Sequence, residues 1–350
     1  MMFARKNKSM VGLDVGANSI KLVKLDRTKA GIAVGAIGIR ELPPEAIVSD
    51  EVKDREAVIF NIQSLIDQID PKIKDVNVSI SGYGVITDKF MIDKKTGSEA
   101  EQAILFEAEQ RSPFDVEDVT MSHHVIRADE ETKKQEILLV AARNEFLNSF
   151  IELVLDAGLR PRIVDVDSIA TLNAYEHNYE VDPSRTTVLV NLGYDVTNVV
   201  YLHDGYYHST RDISSGTRDI YNAIQKEFRL NAELAGKTMK GEMKDSVDQD
   251  MLKATVVSAT DELVSGLELA FSYFRSQAKV DKIDWMVLSG GGALVPYLPE
   301  FLQSKVNIPL EILNPLRNID YDPEMFQYLE LEKIAPLLSV PVGLAMRMDG

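Results

Sequence analysis

Cysteine is absent from the 350 residues. That removes disulfides, thiolate metal sites and cysteine nucleophiles together, and it fits a reducing compartment. Cations are scarce: 38 lysines and arginines stand against 55 aspartates and glutamates, a net charge of −17. Long-range electrostatics then repel phosphate backbones, so nucleic acid is not an expected partner. Long apolar runs are also missing. The longest strong one, Ile137 to Ala142, is far too short to cross a bilayer, and the basic start has no signal-peptide core, so a cytoplasmic protein is expected. No Gly-x-x-x-x-Gly-Lys run exists, which excludes a P-loop ATPase, and no Ser/His/Asp set stands out. His123 and His124 are strand neighbours that point to opposite faces and cannot easily share a metal ion.

What is present is a duplication. Val11 to Leu25 (VGLDVGANSIKLVKL) and Val188 to Leu202 (VLVNLGYDVTNVVYL) each read as a short apolar strand, an acidic or amide side chain, a glycine turn and a second β-rich strand. Asp14 matches Asn191, and Gly16 matches Gly193. Each unit describes a hairpin whose tip offers an acceptor side chain and bare backbone. A unit repeated at half-length predicts two similar lobes, with two tips able to hold one nucleotide's phosphates from both sides of a cleft.

Around the first hairpin, Ile32 to Ile39 reads as a third strand, Ala57 to Ile69 as a helix with Val58, Ile62, Leu65, Ile66 and Ile69 on one face, and Val76 to Ser81 as a β-run. From Val85 the pattern becomes a compact α+β unit. It has a helix opened by Ser98 and Glu101, two strands (about 121–127 and 136–142), and a helix capped by Asn144 and closed by Gly158. After the second hairpin come a strand from Tyr206, a helix from Arg218 to Phe228, and a charged stretch, Gly236 to Asp250, expected as a mobile loop or small hairpin. A single long helix is expected over about Met251 to Gln277, then a strand from Trp285 to Ser289 and a Gly290-Gly291-Gly292 turn, with Leu337 to Met346 bringing the chain end back as a helix or a strand-helix pair. The expected division is 10–84 with 160–182 as the first lobe, 85–159 as an insertion, 183–225 with 281–340 as the second lobe, 226–280 as its edge, and 341–350 as a return segment.

Several residues are candidates for chemistry. Asp14 could hold magnesium through water, with Asn191 opposite, while the backbone of Gly16, Ala17, Asn18 and Ser19 faces phosphate oxygens and Lys21 adds a cation. The bland alternative is an ordinary Asp-x-Gly turn, which the second copy weighs against. Asp165 and Asp167 alternate on one strand face, where Asp167 could position water or a metal; a helix cap by Asp167 or Ser168 is the competing reading. Gly193 and Thr197 belong to the second tip. Gly290, Gly291 and Gly292 could press bare backbone on a base or sugar, and Glu233 could accept from a ribose hydroxyl, although a solvated glutamate is its default.

The ordered set Gly12-x-Asp14-x-Gly16, Asp167-Ser168, Asn191-x-Gly193 with Thr197, Ser289 to Gly292 and Gly343-Leu344-Ala345 resembles the five nucleotide motifs of the actin-like ATPase superfamily: phosphate 1, connect 1, phosphate 2, adenosine and connect 2. Glu107 to Phe114 (EAEQRSPF), Leu138 to Arg143 (LLVAAR), Asp156 to Pro161 (DAGLRP) and Val164 to Ser168 (VDVDS) are similar to PilM-type type IV pilus assembly proteins. The resemblance covers nearly the whole chain. It implies an α/β actin-like fold with two lobes, an FtsA-like inserted α+β subdomain, and binding of ATP with Mg2+. It further implies a cytoplasmic adaptor, peripheral to the inner membrane, that holds the cytoplasmic tail of a PilN-like protein between the first lobe and the insertion, and reaches PilO indirectly. A homo-oligomer is compatible with the sequence.

Two departures from the pattern stand out. Asn191 occupies a place where the superfamily usually has Asp, so weak or no hydrolysis is expected while binding through Gly193 is not affected. Arg111-Ser112 replaces a mainly apolar pair. Two other classes compete. An FtsA-like filament protein would end in a basic amphipathic helix, unlike Met346 to Gly350, and a small-molecule kinase would carry a sugar clamp that is not evident.

Overall fold

The computed structural model describes residues 10–29, 31–49, 51–111, 114–327 and 329–347; Ser112 and Pro113 lie outside the described residues. The first lobe opens with β1 (Met10–Val15), β2 (Ser19–Arg27) and β3 (Ile32–Glu41), followed by the two-residue pair β4 (Ile47–Val48) and β5 (Glu51–Val52), α1 (Arg55–Ile69) and β6 (Asp75–Ile80). The insertion comprises β7 (Val85–Asp93), α2 (Ser98–Arg111), β8 (Val119–Asp129), β9 (Lys134–Arg143) and α3 (Asn144–Asp156). The chain returns through β10 (Arg160–Val166) and α4 (Asp167–Asn178). The second lobe holds β11 (Thr187–Leu192), β12 (Thr197–His203), β13 (Tyr206–Ile213), α5 (Arg218–Phe228), α6 (Ala232–Met239), α7 (Gln249–Ser258), α8 (Asp261–Ala278), β14 (Trp285–Ser289), α9 (Leu298–Val306) and β15 (Leu310–Ile312). The chain then runs through α10 (Leu331–Ile334) to α11 (Ser339–Met346).

The duplication extends to whole sheets. The first sheet has the order β10-β6-β1-β2-β3, and the second, read from its other end, β15-β14-β11-β12-β13. In both, the hairpin is antiparallel and the next two strands join it in parallel. Alternation of Val, Ile and Leu along the hairpin strands gives each sheet buried faces. α1 and α3 cover one face of the first, with Ile62, Leu65 and Leu153 in its core, and α5 to α9 cover one face of the second around Tyr201, Phe271 and Phe274.

The two remaining faces are covered crosswise. α4 follows a first-lobe strand, yet Ile169, Leu172 and Tyr175 pack against Leu189, Val200 and Leu202 of the second sheet. α11 follows second-lobe elements, yet Val342 and Ala345 pack against Val23 and Leu25 of the first. Where the two helices meet, a Cβ on Gly343 would lie 1.8 Å from the Ala170 carbonyl oxygen, and one on Gly12 would lie 2.0 Å from the Pro341 oxygen. Only hydrogen fits at either point. Asn77 anchors the end of α11 by donating to the carbonyls of Leu344 and Arg347, at 2.9 and 3.1 Å.

The insertion is a three-stranded sheet, β7-β9-β8, with α2 on one face through Ile104 and Ala108. Its other face joins Leu138 and Ala142 to the shared inter-lobe core, and Thr87 and Thr210 hydroxyls meet at 2.6 Å. Three local expectations are corrected. Gly236 to Asp250 is not a loop or hairpin throughout, because α6 runs through Met239, with Asn231 accepting from the Leu234 N–H as its cap. The single long helix is two, α7 and α8, broken at Ala259-Thr260, where the buried Thr260 hydroxyl donates to the Val256 carbonyl instead of projecting outward. Asn144 does not cap α3; its side chain accepts from Thr120 and donates to the Glu117 carbonyl, tying the start of α3 to β8.

A paired substitution tests the crossing. Gly343→Val should destabilise by at least about 3 kcal/mol, because neither backbone can retreat from the new methyls. Gly236→Ala, in α6 with nothing within 4 Å of the added carbon, should stabilise by about 0.5–1 kcal/mol. Urea unfolding measures both, and a tolerated Gly343→Val would refute the tight crossing.

Candidate functional site

Between the lobes lies a cavity of about 1570 Å3 into which both hairpin tips project. At the first tip the Gly16 N–H donates to the Ser19 carbonyl at 3.2 Å, and Gly16, Ala17, Asn18 and Ser19 line the space. At the second, the Gly193 N–H donates to Val196 at 3.1 Å, and Gly193 to Val196 form the opposite wall. A Cβ at Gly193 would lie 2.5 Å from the Val196 oxygen, so the turn itself demands glycine. The second tip is braced from behind: Arg218 holds Asp195 through two bonds of 2.5 and 2.6 Å, and the Thr217 and Arg218 N–H groups donate to Gly193 and Tyr194.

The two tips are alike in backbone and unlike in charge. Asp14 and Lys21 face each other in the β1–β2 ladder and form an ion pair at 2.9 Å, each about 12% exposed. The matching pair in the second lobe is Asn191 opposite Asn198, where the Asn191 amide donates to the Asn198 oxygen at 3.2 Å. Asn191 and Asn198 both line the cavity. Asn198 was missed in the sequence, although its place seven residues beyond Asn191 repeats that of Lys21 beyond Asp14.

Asp167 reaches the cavity from the first turn of α4. It does not cap that helix; its carboxylate accepts from Ser79 at 2.5 Å. Burial, then the nearby Asp14 carboxylate, push its pKa up to about 7, against the lowering effect of the Ser79 and Ser81 hydroxyls. Asp165 parts company with it: it sits 2.9 Å from the Arg347 guanidinium and does not line the cavity.

Further along, Gly290 takes a positive φ of 81°, donates to the Pro336 carbonyl at 2.8 Å and, with Gly291, forms bare backbone wall. Lys240, Gly241 and Glu242 complete this end of the cavity. Three predicted site residues fall outside it. Glu233 is exposed and pairs with Lys237 one helical turn away at 2.6 Å, because it lies on the solvent face of α6; Glu242 is the carboxylate that lines the cavity there. Thr197 is fully buried, its hydroxyl donating to the Ser215 carbonyl at 2.7 Å, and Gly292 makes room for Leu192, since an added Cβ would lie 2.1 Å from that side chain.

Asp14, Asp167 and the Asn191 amide are hard oxygen donors, but no group of three or more His, Cys, Asp or Glu suited to a metal occurs among the described residues. That donor set fits Mg2+ carried on phosphates and water, since this ion keeps part of its hydration shell, and does not fit a closed protein cage.

At the other end the cavity runs between the first lobe and the insertion. Tyr83, 57% exposed, stands there beside Phe146 with ring centroids 6.3 Å apart, and Arg55, Arg143 and Phe150 share the lining. Aromatic rings next to guanidinium groups suit a peptide with apolar side chains and acceptor oxygens.

The raised pKa of Asp167 generates a pH prediction. The folded value lies above the ordinary 3.8, so the native state holds the proton more tightly. The resulting stability is complete below the unfolded value and lost as pH rises through about 7. Asp167→Asn should therefore raise the ligand-free unfolding temperature by at least about 2 °C at pH ~8 and by less at pH ~5. Equal effects at both would contradict the shift.

The type IV pilus assembly protein PilM family model matches residues 12–349. Among solved structures, a chain of a PilM-PilN type IV pilus biogenesis complex is similar at 25% identity, over 96% of this chain and 97% of that one, with a TM-score of 0.83. The ethanolamine utilization protein EutJ from Carboxydothermus hydrogenoformans follows at 14% identity, 97% and 89% coverage and a TM-score of 0.57. MreB5 of Spiroplasma citri, solved bound to ADP, matches at 11%, 96% and 94%, with 0.50. The last two establish shared architecture alone. Matched along nearly its whole length, the chain belongs to the PilM family of type IV pilus assembly proteins and has the actin-like ATPase fold.

Proposed function

We propose that this PilM-family chain is an ATP-binding adaptor. Mg-ATP sits between the hairpin tips, and the cytoplasmic N-terminal tail of a PilN-like inner-membrane protein sits where the same cavity runs between the first lobe and residues 85–159. The observation that carries this reading is continuity: one cavity holds Asp14, Gly16 and Gly193 at one end and Tyr83, Arg143 and Phe146 at the other. The similar PilM-PilN complex supports the choice of partner. No helix among the described residues is long and apolar enough to cross a membrane, so a place at the inner membrane rests on that partner, with PilO reached through it.

In this reading the Gly16 and Gly193 N–H groups close the two turns, the backbone amides of Ala17 to Ser19 and Tyr194 to Val196 bind phosphate oxygens, Lys21 supplies positive charge, and Asp14 with Asn191 would hold the hydrated Mg2+. Gly290, Gly291 and Glu242 form the nucleoside end. Hydrolysis is weak or absent, since an amide at Asn191 holds hydrated magnesium less firmly than a carboxylate. Asp167, half protonated near neutrality, is a poor anchor for an attacking water. ATP then acts by fixing the angle between lobes and thereby the width of the tail groove.

Calorimetry with a synthetic PilN-like tail peptide and with Mg-ATP separates the two ends. Tyr83→Ala should weaken the peptide about tenfold, near 1.4 kcal/mol, and leave Mg-ATP affinity unchanged. Gly16→Glu should abolish Mg-ATP binding by putting a bulky anion at the phosphate tip. Peptide affinity unchanged in Tyr83→Ala would mean the groove is misplaced. Asn191→Asp should raise the single-turnover hydrolysis rate, and an unchanged rate would show that the site lacks more than this carboxylate.

A further inference from the structure

The three main sheets present six outer strands, and five of them are guarded. β3 is capped at its start by the Asp320 backbone, whose carbonyl accepts from the Val34 N–H at 2.8 Å and whose N–H donates to the Ile32 carbonyl at 3.1 Å. β10 carries Pro161 between two arginines and a register shift. β15 has only three residues. β13 and β7 face each other through the Thr87 and Thr210 hydroxyls, and the Gly82 N–H donates to Asp212 at 3.1 Å. Natural sheets use these devices to stop strands pairing with foreign edges.

β8 is the exception. It is 11 residues long, and β9 is its one ladder partner among the described residues. Its first part, Val119 to Val125 (VTMSHHV), has no proline, no lysine or arginine and no carboxylate. Its bulge comes only after Val125. Thr120, Ser122, His123, His124 and Val125 are exposed, Val125 at 41%.

The segment is also complementary to itself. Laid antiparallel about a two-fold axis through Ser122, Val119 faces Val125, Thr120 faces His124, Met121 faces His123, and Ser122 faces its own copy. The apolar pair, the sulfur-aromatic pair and the hydroxyl pairs are all favourable cross-strand partners, and no like charges of acidic or basic side chains meet. An axis normal to the sheet leaves α2 on the same face in both copies, so β7-β9-β8 would continue into a six-stranded sheet. We propose that β8 is a self-association surface and that its occupant is β8 of a second copy of this chain, paired antiparallel about Ser122 in an isologous dimer. The surface lies on the insertion, separate from the nucleotide and tail ends of the cavity, whose lining includes no residue of β8.

The absence of cysteine makes the register directly testable. Opposed antiparallel residues have Cα atoms about 4.5–5.5 Å apart, within disulfide reach. Ser122→Cys, the full chain's single thiol, should therefore cross-link into a covalent dimer under mild oxidation. Thr120→Cys should not, because the two copies of that position lie about 14 Å apart. Wild-type protein should show a concentration-dependent dimer by sedimentation velocity. Ser122→Lys, which sets two ammonium groups directly opposite each other, should remove it while leaving circular dichroism and unfolding temperature unchanged. A wild-type chain that stays monomeric at every concentration, or equal cross-linking at positions 120 and 122, would overturn the proposal.

Discussion

The contact of Gly343 with the Ala170 carbonyl is the constraint on which the site depends. α4 and α11 exchange lobes, each leaving one sheet to cover the other, and they cross where neither backbone has room for a side chain. Gly12 repeats the condition between α11 and β1. The crossing fixes how far apart the two hairpins begin, and each hairpin then carries its tip to the cavity wall. Rigid packing at the crossing and an open space at the tips are consistent: a small rotation there becomes a larger displacement at Gly16 and Gly193.

Charge is distributed unevenly across that space. The first tip has the Asp14–Lys21 ion pair, the second an amide pair, and Asp167 adds a buried carboxyl pressed toward its neutral form. A triphosphate entering an acidic protein needs its charge offset locally. In the proposed function Lys21, the tip amides and a hydrated Mg2+ would supply that offset, whereas a second carboxylate at position 191 would work against it in the metal's absence. Under that proposal the amide pair would suit retention of nucleotide better than its cleavage. In a PilM-family protein that distinction separates a ligand-set shape from a turnover-driven motor.

The hairpins were legible because glycine turns and alternating β-branched residues are local signals, and the equivalence of Asp14 with Asn191 survived into matching sheet orders. Asn198 was marked only by its place in the repeat, where it stands against Lys21, and a polar residue in a strand gains a role only once its ladder partner is known. Glu233 misled because sequence places a carboxylate near a cleft without saying which side of α6 it occupies; Glu242 lies on the cavity side. The α7–α8 break was illegible for a related reason: Leu252, Val256, Leu263 and Leu267 keep a helical rhythm on both sides of Thr260, and only its back-bonded hydroxyl marks the bend.

The central claim concerns where the phosphates lie. Crystals grown with Mg-ATP or a non-hydrolysable analogue test it most directly, through difference density in the inter-lobe cavity. The account predicts phosphate oxygens within hydrogen-bonding distance of backbone amides in both tips, Ala17 to Ser19 on one side and Tyr194 to Val196 on the other, with the metal near Asp14. Nucleotide density elsewhere on the molecule, or contact with only one of the two tips, would contradict it.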